Sequence, residues 1–580
     1  MGGISMILNN AKDALLTQQR ALDVVSHNIA NVNTEGYTRQ IPILRSNDPA
    51  PYGGMIMGRG VNIDQIMQNS SSFIENRLQQ EKTDLAAWEQ KEVYMNVLEG
   101  IFNESSGRSL ATQLTDFWNS WHDLTNNPAG FAERSIVCER GALLSQTFRD
   151  HASDLIQLTQ RLNLSLDVGV GKVNELLVDI ADLNLQIIGQ EVEGNANDLR
   201  DKRNLLVSEL SEYLDIQTHE QEDGNLTITT ARGYLLVSHS EAYQLSFEGN
   251  QIMWDRSGPG KADITDTLTG GKIGGWLDTR DVIIPEYSAE LDELAAAIIW
   301  NVNQIHTQGV GTEGFALSEG TYQAADTAAP LGTSASGLYF YDKVQNGSFE
   351  LRLYDNTGAP VSTTTISVVS NTTTLTDLQT TITAIDADLT ATIVDNTLQI
   401  STSGGYRFAF SNDTSNTLAA LGLNSFFGGG NAMNVRVNPV LEANKALIAA
   451  GRLDATGGIA TGDNTNALAM VNLQYQDVDM KLYQFERGAA IPSEKAVTES
   501  LDDYLFNFVG SIGIQAQSVG RSRGYFEVIV NELSETRDNI SAVSLDEEMT
   551  DLIRYQQAYT AAAKLITTAD EMFKTILETK

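Results

Sequence analysis

The sequence predicts an α+β, multidomain protein, and three observations carry that prediction. Both ends bear sevenfold apolar rows, long stretches between them carry apolar residues three, four or seven apart, and residues 315–435 switch to Thr, Ser, Gly, Asn and Asp with short apolar alternations. At 580 residues the chain exceeds what one hydrophobic core usually supports. The expected architecture pairs the N- and C-terminal helices in a coiled-coil-like bundle, continues as an elongated helical domain and inserts an all-β-rich distal lobe. Its expected divisions are 1–68 with 540–580 as a terminal helical assembly domain, 69–314 with 436–539 as the helical bundle, and 315–435 as a projecting β domain. A small β element is expected near 220–280 inside the bundle.

The first helix follows from Leu8, Leu15, Leu22 and Ile29, with a companion row at Ile4, Ala11, Val25 and Val32. The last follows from Leu545, Leu552, Tyr559, Ile566 and Phe573, with Met549, Ala563 and Leu577 beside them. Two rows offset by three or four residues are coiled-coil geometry. Asn31, Asn33, Thr34 and Gly36 favour a turn, so the first helix should stop near Asn31. Residues 41–68 contain Pro42, Pro49 and Pro51 and glycines 53, 54, 58 and 60, which reads as an extended linker with short strands. From Ser70, the spacing of Ile74, Leu78, Leu85, Trp88, Met95 and Phe102 predicts a long amphipathic helix. Another helix should begin after residues 127–130, and a Leu-rich one should run from about 153 toward 214, with candidate breaks at Gly169, Gly171, Gly189 and Gly194.

After the turn at Asp223, Gly224 and Asn225 the period drops toward two in 226–230, 234–237 and 243–247, which predicts short strands. Residues 281–306 return to helix. In the Thr-rich segment strands are expected at 338–341, 349–353, 365–369, 392–394, 398–400 and 406–410, with one helix at 375–385. Helical patterning resumes at 441–453 and 466–473 and dominates from 493 to 580, with a break near 539–544. A lobe whose pattern buries its own faces between polar boundaries should fold by itself. With the ends brought together, it is expected to project at the far end.

A formal charge of −37, from 38 basic and 75 acidic residues, makes nucleic acid a poor partner. The same excess repels anionic membranes and requires any self-assembly to match or screen acidic surfaces. The single cysteine, Cys138, rules out an intramolecular disulfide and reads as a small packing residue. No apolar run reaches the roughly 18 residues needed to span a bilayer, so no membrane insertion is expected. The first ten residues lack a cleavable-signal pattern, so export, if it occurs, uses another route.

No catalytic, cofactor or metal site is expected. Gly309, Gly311 and Gly314 have the spacing of a dinucleotide-binding loop, but they follow a helix rather than a strand and no βαβ unit comes after, so they read as a helix-terminating loop. The six histidines are scattered, without metal-ligand spacing. Asp546, Glu547 and Glu548 are explained as favourable charge at a helix N-terminus.

The terminal seams are thin. Each buried seam side chain contributes about 1.5–3 kcal/mol, and fixing roughly 25 backbones costs about 1–2 kcal/mol apiece. Gln18 and Gln556 stand where Leu would be stronger. Amphipathic helices covering a core within one molecule would give the same pattern, but the arithmetic favours termini that order on assembly.

The stretch 26–40, with Ser26, His27, Asn28, Ile29, Ala30 and Asn31 followed by Gly36, Tyr37, Thr38, Arg39 and Gln40, resembles the N-terminal signature of bacterial flagellar rod, hook and hook-associated axial proteins. Residues 545–549 with Tyr555, Gln556, Gln557, Ala558, Tyr559 and 561–566 resemble its C-terminal partner. Three internal blocks, 198–206 around Arg200, 274–281 around Trp276 and 462–469 around Asn464, narrow the likeness to the hook-associated protein 1 family. They separate it from the third hook-associated protein and from flagellin. Glu35 stands where that family often has Pro, and Ala542 and Ser544 replace Gly and Asn.

The resemblance implies a structural subunit of the hook–filament junction. Its implied partners are copies of itself, the hook protein, the third hook-associated protein and an export chaperone at the C-terminal segment. Its implied location is the extracellular flagellum, reached by flagellar type III export without a cleaved signal. The assembly interface is then expected at Leu8, Leu15, Leu22, Val25, Ile29, Asn31, Gly36, Tyr37, Leu545, Met549, Leu552, Tyr559, Ile566, Phe573 and Leu577. An added binding or hydrolase activity in 315–435 is the rival reading from another class.

Overall fold

The computed structural model describes residues 2–52, 55–102, 109–191, 195–221, 224–255, 260–489 and 491–578. Gly53, Gly54, Gly194 and Asp223 therefore lie outside the described residues. In chain order, α1 (Gly2–Ala30) leads to β1 (Gln40–Ser46), β2 (Ala50–Tyr52), β3 (Met55–Met57) and β4 (Val61–Gln68). Then come α2 (Ser72–Ile101), α3 (Leu110–Asn126), α4 (Phe131–Glu191) and α5 (Asn197–Tyr213). A run of strands follows: β5 (Ile216–Glu220), β6 (Leu226–Thr230), β7 (Leu235–Ser238), β8 (Glu241–Ala242), β9 (Leu245–Glu248), β10 (Gln251–Asp255) and β11 (Lys261–Asp263). After α6 (Gly271–Asp278) and α7 (Ile284–His306) come β12 (Leu317–Glu319), β13 (Gly347–Tyr354), β14 (Pro360–Val368), α8 (Leu375–Thr383), β15 (Leu389–Val394), β16 (Thr397–Thr402) and β17 (Arg407–Ser411). The chain closes with α9 (Thr417–Leu421), β18 (Phe427–Gly428), β19 (Arg436–Val437), α10 (Pro439–Ala443), α11 (Thr465–Leu473), β20 (Val478–Gln484), β21 (Ser493–Glu499), α12 (Leu501–Ser541) and α13 (Leu545–Glu578). The fold is α+β with several small antiparallel sheets between long helices.

Two compact units share these elements. The first comprises Met1–Val93, Leu162–Asp278 and Ser518–Lys580. In it, β1 pairs antiparallel with β4 beside α1, where the Thr17 hydroxyl donates to the Val61 carbonyl at 2.9 Å. Strands β5 to β8 form one sheet and β9 to β11 another. The part of α4 in this unit buries Leu162, Leu166, Val170, Val173, Leu177 and Ile180, spaced so that one face of the helix meets the core. The helix does not break at Gly169, Gly171 or Gly189, contrary to expectation, and the stretch toward residue 214 is two helices, α4 and α5. Gly169 serves packing: a Cβ there would lie 2.6 Å from the Trp276 indole. Gly275, beside that indole, lets α6 approach the backbone of α2, since a Cβ would fall 2.5 Å from the Ala87 carbonyl oxygen.

The second unit comprises Tyr94–Arg161 and Thr279–Gln517. Its sheets order as β14-β13-β17 and β12-β16-β15, with β20 and β21 as a separate hairpin. Phe349, Leu351 and Leu353 of β13 and Phe408 and Phe410 of β17 are buried. Helix α3, to which the sequence analysis assigned nothing, is capped by the Ser109 hydroxyl accepting from the Thr112 N–H. It buries Phe117, Trp118 and Trp121, and the Phe117 ring centroid lies 5.6 Å from those of both Phe426 and Phe427. Cys138 is buried and free.

Three expectations in this unit need correction. Residues 338–341 form no strand: Gly337 takes φ +68° and a 3-10 turn begins at Tyr341, so the aromatic run is held by packing, with Phe340 5.2 Å from Trp300. Residues 441–453 are helical only to Ala443 and in a 3-10 turn at Lys445–Leu447, because the Asn444 side chain accepts from the Ala446 N–H and the next carbonyls serve the 309–312 loop. Residues 493–499 are strand β21, not helix, paired with β20; helix begins only after Ser500 caps the Asp503 N–H.

The glycine-spaced loop at 309–314 is a close backbone approach. A Cβ on Gly311 would sit 1.9 Å from the Ala446 carbonyl oxygen, and the Thr312 N–H donates to that same oxygen at 2.8 Å. His306, fully buried before the loop, has its Nδ1 2.7 Å from the Asn424 carbonyl and its Nε2 accepting from the Ala449 N–H at 3.0 Å. Burial pushes it down to about 4, so the ring is a neutral structural strut.

Candidate assembly site at the paired termini

Helices α1 and α13 pack antiparallel in the first unit. Asn28 meets Glu548 at one end, and Ala21 and Val25 meet Tyr555 one turn or two further along, with Leu22, Ile29 and Leu552 packed against that cluster. The fully buried row of α13 is Glu548, Tyr555, Ala562 and Ala569, each seven residues from the next. In α1 the buried apolar residues are Ala11, Ala21, Val24 and Val25. Small residues dominate, so the axes come close while little area is buried.

The expected interface residues fall into three groups. Val25 is buried, and Leu15, Leu22, Ile29, Leu552, Tyr559 and Ile566 are half-buried along the α1–α13 seam. Leu8, Leu545, Met549, Phe573 and Leu577 are 42%, 49%, 50%, 41% and 59% exposed, so the described residues leave them about half uncovered. Asn31, Gly36 and Tyr37 lie in the turn after α1, where Gly36 adopts φ +75°.

That turn feeds a polar joint which the sequence analysis did not assign to individual residues. The Asn28 Nδ2 donates to Glu548 (3.1 Å) and to the Gln40 carbonyl (2.9 Å), while its Oδ1 accepts from the Gln40 N–H (3.0 Å) and the Tyr37 hydroxyl (2.8 Å). Arg39 donates through Nε to Glu548 at 2.7 Å and through Nη1 to Glu547 at 2.5 Å, with Asp551 at 3.6 Å. Its backbone N–H donates to the Ser541 carbonyl, and Asn69 donates to the Arg39 and Ile540 carbonyls. Burial works against the Arg39 charge, but Glu548, Glu547 and Asp551 outweigh it and hold the guanidinium above its ordinary value.

The block at 198–206 completes the joint. Asp201 accepts from the Thr38 N–H (3.1 Å) and Gln68 Nε2 (2.7 Å), and Asp198 accepts from Gln40 Nε2 (2.8 Å). Burial pushes Asp201 up to about 6, against the hydrogen bond from Thr38. Burial, then Asp198 and Asp201, raise the Tyr37 hydroxyl well above its ordinary value, so it stays a donor. Further along the block, Arg203 is buried and donates to Asn184 Oδ1 (2.9 Å) and the Gly224 carbonyl (2.7 Å), and it pairs with Glu220. A carboxylate at a seam position, Glu548 with 1% exposure, was the one signal that demanded a cationic partner. The arrangement holds two chain ends together; among the described residues no group of His, Cys, Asp and Glu is placed to hold a metal ion.

The parts of the chain that meet here are the parts that match known families. Residues 8–38 match the flagella basal body rod protein family, residues 537–579 the C-terminal family of the basal body rod FlgEFG proteins, and residues 95–320 the helical domain of flagellar hook-associated protein FlgK. Flagellar hook-associated protein 1 of Salmonella typhimurium is 27% identical, with 99% of this chain and 100% of that protein covered. The Bacillus subtilis protein of the same name is 26% identical over 99% and 97%. Along almost its whole length this chain is similar to flagellar hook-associated protein 1. The Escherichia coli protein of that name is 26% identical over 99% of this chain and all of its own. The structure of the flagellar hook junction protein FlgK from Burkholderia pseudomallei aligns with a TM-score of 0.48 at 16% identity, covering 81% of this chain and 100% of that one. The rod-type terminal matches and the hook-associated helical match thus coincide with the ends and the middle of one chain. Among the described residues no helix is long and apolar enough to cross a membrane.

Proposed function

We propose that this chain is a structural subunit of the bacterial flagellum that forms the junction zone between hook and filament, polymerised at the distal end of the hook. The observation that carries this reading is the α1–α13 joint. Two signatures 520 residues apart bind each other through Asn28, Arg39 and Glu548, and the pair they make leaves an apolar outer face that the described residues do not cover. Leu8, Leu545, Met549, Phe573 and Leu577 on that face supply the contacts to neighbouring copies, while Leu22, Val25, Ile29, Leu552, Tyr559 and Ile566 hold the pair. Residues 1–68 with 540–580 are the assembly domain, and 315–435 is a lobe that assembly leaves free.

A contact that does not close on itself propagates as an array. The hook protein then lies on one side of the zone and the third hook-associated protein on the other. The subunit leaves the cell by flagellar export, and a chaperone covers the C-terminal segment on the way, since Met572, Phe573, Ile576 and Leu577 are all exposed in the free chain. Its work is mechanical, with no catalytic step. Deletion with complementation tests the reading: loss of the gene leaves hooks without filaments and releases flagellin monomers into the medium. Normal filaments in the deletion strain would sink it.

A further inference from the structure

Within the first unit, α4 carries a second unpartnered face. Leu164, Val168, Gly171, Val178 and Leu185 follow one another at steps of four, three, seven and seven, a heptad stripe on the side opposite the buried row. Leu164 and Val168 are each 65% exposed and Leu185 is 58% exposed, and a Cβ on Gly171 would meet nothing within 4 Å. Asp167, Glu175 and Asp182 flank or interrupt the stripe and are exposed. A partner must therefore be apolar with a cation at its edge. Helix α12 of the same unit offers that: Arg521, Tyr525 and Val528 share one outward face, the last two each 64% exposed, and Arg521 has no ion pair among the described residues.

The two helices run in the same direction, each linked to α2. Trp276 lies against Gly169 of α4 and donates to Gln90 of α2 at 2.9 Å, and Glu92 of α2 lies 3.6 Å from Arg523 of α12. Both helices then run to the end of β4, where Asn195 Nδ2 donates to the Ile66 carbonyl and Asn69 Nδ2 to the Ile540 carbonyl. In two copies standing level, Arg521 and Tyr525 come to the heights of Asp167 and Gly171 within about one turn, ~5 Å.

We propose that the α4 stripe of one copy receives the Arg521–Tyr525–Val528 face of α12 from the next copy, as a parallel, heterologous helix contact repeated around the assembly. Tyr525 fills the gap over Gly171, and Arg521 answers the acid row. The occupant is a second copy because the stripe alone is too small for a free complex. One two-helix seam along the stripe, about 32 Å long, buries well under the ~800 Å² per partner of a stable interface. It forms where the terminal helices already hold the copies adjacent, and an acidic chain keeps it open in dilute solution. This rests on the junction-subunit reading.

Cysteine cross-linking tests it in full-length chain carrying Cys138→Ala, expressed in the deletion strain. Val528→Cys is combined in turn with Val168→Cys, Gly171→Cys and Val178→Cys, and isolated flagella are oxidised. At least one pairing gives a ladder of linked subunits, while each single variant gives no disulfide-linked dimer. Filaments of normal number with no ladder from any pairing overturn the inference and leave the junction reading standing; a disulfide-linked dimer from Gly171→Cys alone overturns it as well, by making the contact self-facing. Val168→Asp, 65% exposed and level with the Arg521–Tyr525 step, leaves the thermal midpoint of the free chain unchanged and lowers filament-bearing cells at least tenfold, and undiminished filaments would overturn the proposed contact.

Discussion

Helix α13 runs for 34 residues and fully buries only Glu548, Tyr555, Ala562 and Ala569, whereas β13 in the other unit has 8 residues and buries Phe349, Leu351, Leu353 and Tyr354. The helix is the longer element and has the smaller core. The difference separates a region that completes its packing alone from one that does not. The sheet pair buries large rings on short strands, with Phe408 and Phe410 5.4 Å apart between centroids, so its hydrophobic contribution is complete in a single chain. The terminal pair is fixed in direction by charged hydrogen bonds at one end and by small residues along its seam, and it keeps its large apolar side chains outside.

Matched truncations should break this contrast most visibly. Phe408→Ala, at a site with no exposure, costs the second unit about 3–5 kcal/mol. Glu548→Ala costs the terminal pair about 1–3 kcal/mol by taking the buried acceptor from Asn28 and from the Arg39 Nε, while Arg39 keeps Glu547 and Asp551. Hydrogen exchange followed by region is the measurement: the first change should accelerate exchange in β13 to β17 alone, the second in α1 and α13 alone. Acceleration in both regions by either change would mean that the two are not independent.

A smaller effect comes from Glu290 of α7. Burial, reinforced by Glu286 and opposed by the Tyr483 N–H, pushes it up to about 7. The unfolded value is about 4.3, so between these the folded chain binds more protons and stability falls as pH rises, with the whole penalty present above 7. Glu290→Gln keeps an acceptor for Tyr483 and should raise the midpoint of the second unit at pH 8 by roughly 2–4 °C, the shift given by about 1 kcal/mol in a domain this size. At pH 4.5 it should change little, and calorimetry at the two pH values reads the difference.

Smallest for the free chain is the change that matters most to assembly. Met549→Asp with Ile553→Asp alters two side chains that are each 50% exposed, so stability should move by no more than about 0.5 kcal/mol. Filaments should nonetheless be lost, as counted by electron microscopy of complemented cells. Retained filaments would place the assembly contacts elsewhere on the pair.

Much of the architecture was legible because periodicity survives in a long helix. Leu8 to Ile29, Ile74 to Met95 and Leu545 to Phe573 each repeat often enough to mark an element, and each lies in one. Short runs did not behave so well. Residues 338–341 read as a strand and 493–499 as helix, yet the first is a packed turn and the second a strand, because a few residues cannot outweigh the neighbours they fold against. At the candidate site the apolar rows were visible, and the joint was not. Asn28, Arg39, Asp201 and Glu548 are polar residues whose partners lie hundreds of positions away, and no local spacing announces such a pairing.

The sequence by itself determined that the ends are amphipathic helices, that an aromatic and Thr-rich segment forms strands between helical parts, and that the chain bears the signatures of flagellar axial proteins. These depend on local period and local composition, which each stretch carries with it. Only the tertiary structure decided which row of α13 is buried: the row through Glu548 and Tyr555 lies innermost, and Leu545 and Phe573 are left outside. A helix with apolar residues on adjacent rows can turn either toward its partner, and the choice fell to one ion pair at its end, where Arg39 and Asn28 take Glu548 into the seam.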